Sequence, residues 1–135
     1  MTYALTDALQ RAVFGALDQD ATLSAMVGGC IHDAPPEGAL PPIYVTLGEE
    51  RVRARSDQSA LAAEHDFAVI VVSDQPGFLQ AKTAASRISD LLDEVDLAMS
   101  RGRLVRCQFR RAQARQRRER REIEIWFRAF VEDVA

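Results

Sequence analysis

The sequence predicts an α+β domain. Its elements are a mostly antiparallel sheet of about four strands, two main helices packed on one face, and a long closing β-hairpin. Three observations lead there. Two segments carry apolar residues at helical steps of three and four, and one run, EHDFAVIVVS, is apolar on both of its alternation classes. Near the C-terminal end, two stretches alternate apolar and polar residues with period two.

In chain order, Leu5, Leu9, Ala12, Val13, Ala16 and Leu17 form one stripe, while Asp7, Arg11 and Asp18 face elsewhere; this is an amphipathic helix. Asp20 is placed to cap a second short turn, ATLSAMV, which Gly28 and Gly29 end as left-handed residues. The prolines of DAPPEGALPP forbid a regular helix and leave an extended connector. IYVTLGEE then reads as a short strand of β-branched and aromatic residues. From Arg51 to Ala63 the chain is polar, charged and aperiodic, which predicts a long mobile loop that orders against a partner.

A strand apolar on both sides, as EHDFAVIVVS is, is expected to be central in the sheet or covered on both faces. Ser73 or Asp74 is expected to cap the next helix, with Pro76 near its first turn. Ala81, Ala84, Ile88, Leu91, Leu92 and Val95 form its buried stripe, and it should stop between Met99 and Gly102. In the hairpin, Val105, Cys107 and Phe109 alternate with Arg106, Gln108 and Arg110. Ile123, Ile125, Phe127, Ala129 and Val131 alternate with Glu122, Glu124, Trp126, Arg128, Phe130 and Glu132, and ARQRRER joins the two runs.

All 135 residues are expected to form one domain: 47% are hydrophobic, 27% charged, and Gly and Pro number 7 and 5. A domain of this size buries roughly two-thirds of its unfolded surface, so its core needs no disulfide or metal. The net charge of -3 conceals a polarity. Residues 101 to 128 hold eleven Arg against three Glu, a balance of +8, and the rest of the chain carries -11. No apolar stretch approaches the roughly twenty residues of a membrane span, and the N-terminal segment lacks the pattern of a signal peptide. The expectation is a protein of the cytoplasm with no membrane partner.

The inventory for catalysis is thin, so no enzyme is expected. Cys30 and Cys107 lie far apart without zinc-site spacing, and they read as buried or incidental thiols. His32-Asp33 and His65-Asp66 are adjacent pairs, and neighbours on a strand point to opposite faces, so neither forms a relay. No Gly-rich phosphate loop is present, and Asp90, Asp93, Glu94 and Asp96 lack a partner that would complete a metal site. No catalytic, cofactor-binding or metal-ligating residue is therefore expected.

Trp126 and Phe130 lie on the strand face opposite Ile125 and Phe127 and are expected to point outward among charges, as at a protein interface. The alternative is that the connector or the long loop folds over them. Candidate interface residues are Trp126, Phe130 and Arg128, then Arg51, Arg53 and Arg55, and finally Arg115, Arg117 and Arg118 in the hairpin. The arginines allow a second function, a small nucleic-acid-binding module, although no aromatic interleaves RRAQARQRRERR for base stacking.

The order LSAMVGGCIHD, a proline pair and strand, the VVSD step into a helix near Phe78, RGRLVRCQFRRAQ and the closing FRAFVED resembles the tail-terminator, or tail-completion, proteins of long-tailed phages and gene transfer agents. The resemblance spans nearly the whole chain and rests on order and spacing, since none of these segments is a catalytic motif. It implies a structural protein that forms a hexameric ring on the head-proximal end of the tail tube. That ring would halt tube polymerisation and join the tail to the neck. The implied partners are further copies of the chain, the major tail tube protein and the neck or stopper protein, with DNA passing through the lumen without specific binding. It further implies assembly in the cytoplasm and final residence in the particle. A head-to-tail ring uses different patches on its two sides, which suits an acidic body with a basic hairpin. The arginine density of RQRRERR departs from the shorter or more mixed turn expected.

Overall fold

A computed structural model describes residues 3–55 and 61–133. Helices α1 (Thr6–Asp18) and α2 (Ala21–Met26) are followed by strands β1 (Ile31–His32), β2 (Ile43–Ala54) and β3 (Leu61–Ser73). Helix α3 (Leu79–Leu92) then leads into strands β4 (Arg103–Arg117) and β5 (Arg120–Asp133). The five strands form one sheet in the order β1-β2-β3-β5-β4, antiparallel except for the parallel β1–β2 pair.

The helices cover one face of this sheet. Leu9, Val13 and Leu17 of α1 and Ala81, Ala84, Ile88 and Leu92 of α3 meet the inward set Val45, Phe67, Val69, Val71, Ile123, Ile125, Phe127, Ala129 and Val131 in one cluster. Side chains of this size each contribute about 1.5–3 kcal/mol when fully buried. β3 lies between β2 and β5, and its register sets Phe67 opposite Phe127 and Val69 opposite Ile125. The Phe67 and Phe127 rings stack at 5.6 Å. This central position explains why β3 is apolar on both classes.

Local signals acted as expected in places. The Asp20 carboxylate accepts the Leu23 amide at 2.8 Å and starts α2, and Gly28 and Gly29 end it at φ 61° and 74°. Elsewhere tertiary structure overrode them. The stretch from Arg51 to Ala63 is not one long loop: β2 continues to Ala54 and β3 begins at Leu61, while residues 56–60 of that expected loop lie outside the described residues. Polar residues sustain these strands because Arg51, Arg53, Glu64 and Asp66 all share the face of the sheet away from the helices.

Helix α3 begins later and ends sooner than its periodicity implies. Ser73 accepts the Gln75 amide within a turn, and the helix is entered at Phe78 without a side-chain cap. After Leu92 the chain leaves the helix, and Glu94 takes φ 56°. Val95, Leu97 and Met99 still pack against the core as an irregular segment, so apolar spacing persisted beyond the helix itself. β1 adds a fifth strand, too short to show a period. In β4, register shifts between Leu104 and Arg106 and between Phe109 and Arg111 mark bulges. The first puts Leu104 rather than Val105 into the core, leaving Val105 exposed. Among the described residues no helix is long and apolar enough to cross a membrane.

Candidate docking face

Strand alternation sends a second set of side chains to the face away from the helices. Across that face the register sets Arg51 opposite Asp66 and Arg53 opposite Glu64. It continues with Asp66 opposite Arg128 and Glu64 opposite Phe130. On β4 and β5, Gln108 faces Arg128 and Arg111 faces Trp126. Opposite charges stand directly across from one another, which is the arrangement in which exposed cross-strand pairs attract.

Arg128 is the centre of this lattice. Its guanidinium meets Asp66 at 2.8 Å and Glu64 at 2.9 Å. Glu64 also accepts Arg53 at 3.4 Å and Arg55. Hydrogen bonding from Arg128 holds the Asp66 carboxyl below its usual range, and the charges of Arg128, Arg110 and Arg53 add to the effect. Burial alone would raise the Glu64 carboxyl, but the Arg55 hydrogen bond and the charges of Arg128, Arg55 and Arg53 outweigh it and leave it lowered.

Trp126 does point to this face, yet it is only 6% exposed. The Arg111 guanidinium lies 5.3 Å over the ring, and the indole N–H donates to Glu124 at 2.7 Å. The second bulge makes this contact, because strict alternation from Phe109 would have turned Arg111 toward the helices. Phe130 is half-buried beside Glu64 and Arg106.

Of the residues singled out from sequence, the structure brings Arg51, Arg53, Arg55, Trp126, Arg128 and Phe130 together on this face. Arg115, Arg117 and Arg118 lie apart, toward the hairpin tip, where the strands extend through most of ARQRRER and leave a two-residue turn of Arg118 and Glu119. There Arg115 and Arg117 approach Glu124 and Glu122 at 3.8 Å. Closer to the core, Arg101 pairs with Asp133 at 2.8 Å, Arg103 with Glu132 at 2.8 Å and Arg106 with Glu94 at 2.9 Å. Much of the arginine in the hairpin is thus neutralised within the chain.

Sequence reasoning missed Glu64, Asp66, Arg110 and Arg111. The adjacent pair Arg110-Arg111 was the available signal, since two successive charges break an alternation that otherwise buries every second residue.

On the helix side, His65 is fully buried with Nδ1 3.3 Å from the Glu50 carboxylate, which also accepts Thr6 Oγ1 at 2.6 Å. Burial opposes ionisation of Glu50, but the hydrogen bonds from His65 and Thr6 prevail and lower it. Asp66 points the other way to Arg128, so the His65-Asp66 step forms no relay. Burial pushes the Cys107 thiol up to about 12, leaving it un-ionised at neutral pH. Among the described residues no three His, Cys, Asp or Glu side chains are grouped to hold a metal ion.

A small helix-backed sheet with one apolar face and one lattice of paired charges defines an α+β protein whose second sheet face is polar. The chain belongs to the family described as tail completion protein gp17, whose model matches residues 11–132. It is also similar to a chain in a solved structure described as the virion of a native gene transfer agent particle. The two share 47% sequence identity with a TM-score of 0.92, over 97% of this chain and 99% of that one. No curated protein sequence matches it.

Proposed function

We propose that this tail protein is the terminator of a phage or gene-transfer-agent tail. It forms a hexameric ring on the head-proximal end of the tail tube, stops tube polymerisation, and presents a surface to the neck or stopper protein. DNA passes through the ring without specific recognition. The chain acts without catalysis or cofactor, assembles in the cytoplasm and remains in the particle. The observation that carries this proposal is similarity at 47% identity over nearly the whole of both chains to a chain of a gene transfer agent virion.

The docking face supports the same reading. A head-to-tail ring needs two unlike patches, and the lattice around Arg128, with Trp126, Phe130, Arg51, Arg53 and Arg55, supplies one patch, while Arg115, Arg117 and Arg118 at the hairpin tip supply a second. The nucleic-acid alternative draws less from the structure, because so many hairpin arginines already face carboxylates within the chain.

Deleting the gene and imaging the particles by electron microscopy tests the proposal. Over-long or headless tails are the expected result, and tails of normal length joined to heads would refute it.

A further inference from the structure

Where the docking face meets the second β4 bulge, a cleft of about 220 Å³ is lined by Arg51, Arg110, Arg111 and Arg128, with Trp126 as a wall and Asp66 as its one carboxylate. Four strands contribute to it. A second cleft of about 250 Å³ shares Arg51, Asp66 and Arg128 and continues over Arg53 and Glu64.

These guanidiniums are not equivalent. Arg128 is committed to Asp66 and Glu64, and the Arg111 guanidinium lies over the Trp126 ring. Arg51 and Arg110 are exposed and make no ion pair or hydrogen bond among the described residues, although the charge of Arg110 reaches Asp66. The cleft therefore carries two uncommitted forks, a third oriented by stacking, and a net positive charge that the chain itself leaves unbalanced. A guanidinium fork matches a carboxylate through two parallel N–H···O bonds.

We propose that this cleft is a binding site for paired carboxylates on an acidic segment of a protein partner, with Arg51 and Arg110 gripping them and Arg111 completing the grip. The proposal rests on reading this face as a docking face and adds the chemistry of what docks there. A protein segment fits better than nucleic acid for two reasons. The cleft is a short recess that admits one or two side chains. Its surroundings alternate in sign, with Glu64 and Glu124 standing where a phosphate backbone would run.

Trp126 is the single tryptophan, so its fluorescence reports directly on the cleft. The full-length protein is titrated with a hexaglutamate peptide, with hexaglutamine and with a short DNA duplex. Saturable binding of hexaglutamate alone is expected. The double variant R51Q/R110Q should loosen it at least about tenfold, as loss of charge-assisted hydrogen bonds would, while R11Q leaves it unchanged. If the double variant melts early, R110Q alone serves, since that side chain is exposed and unpaired.

Absence of saturable peptide binding, or binding indifferent to Arg51 and Arg110, overturns the assignment. Duplex binding that displaces the peptide and depends on the same arginines also overturns it, in favour of a nucleic-acid site. The titration needs no assembly. Its failure alongside defective tails in the deletion strain would reject this site alone, and normal tails alongside peptide binding would reject the terminator.

Discussion

His65 and Asp66 are neighbours in the chain and inhabit different chemistries. His65 is sealed beneath the helices among apolar side chains, whereas Asp66 stands on the opposite face in a lattice of arginines. The same strands thus build a helix-covered face held by packing and an open face held by paired charges. The comparison teaches that stability and recognition are separated by a single step of strand alternation. Burial of apolar surface is strong and is not subject to ionic screening, while each exposed ion pair is worth only about 0–1 kcal/mol. Arg51 and Arg110, exposed and without an ion pair among the described residues, can therefore take external partners without endangering the fold.

The sharpest way to break this division is Phe127→Ala. The ring is fully buried, stacks on Phe67 and meets Phe109 edge-on at 6.2 Å. A loss of about 3–5 kcal/mol in a denaturant titration is expected. Next comes Gly102→Ala. Gly102 has φ 67°, and a Cβ there would lie 2.5 Å from the Glu132 carbonyl oxygen, so a loss of about 2 kcal/mol or more is expected in the same measurement.

Glu50→Gln tests the polar contact that His65 makes beneath the helices. The carboxylate gathers donors from His65, Thr6 and Tyr3, and its replacement should cost about 1–3 kcal/mol, read as a drop in melting temperature. Arg103→Ala removes an exposed pair with Glu132 and should change stability by no more than about 0.5 kcal/mol; a larger loss would mean that the charge lattice carries the fold.

A pH series sharpens the comparison at the helix pair. Hydrogen bonds from Arg87 and the Leu23 amide hold the Asp20 carboxyl down to about 2 from 3.8. A carboxyl depressed in the folded state contributes stability above its unfolded value and loses it as the pH falls through the folded value. Wild type should therefore exceed Asp20→Asn in melting temperature above about pH 4, with the gap closing toward pH 2.

The packed face was largely legible from sequence, because helical stripes and doubly apolar strands report burial directly. Leu9, Val13, Ala84, Ile88, Ile125 and Phe127 all occupy the core they were expected to form. The open face was legible only in part. Trp126 was correctly turned away from the helices, but its cover comes from Arg111, and no pattern in one strand shows which residue of the next will lie across from it. The placing of Arg51 opposite Asp66 and the ion pairs of Arg128 with Asp66 and Glu64 likewise depend on register between strands. The stretch after Arg51 was misread as loop for the same reason: its charges look aperiodic until partners across the sheet are known. Bulges at Val105 and Arg110 shift β4 against any fixed period, which hid the cleft.

β4 is the outer strand of the sheet and fifteen residues long, a length that would ordinarily invite a stray strand to add to it. The turn after α3 blocks part of that edge. The Glu94 amide donates to the Cys107 carbonyl at 2.7 Å, and the Asp93 carboxylate accepts the Phe109 amide at 2.8 Å. Beyond these plugs, two bulges and a row of arginines spoil the flat template that aggregation requires. The basic hairpin thus has a protective consequence: it keeps an unfinished sheet edge from polymerising with copies of itself.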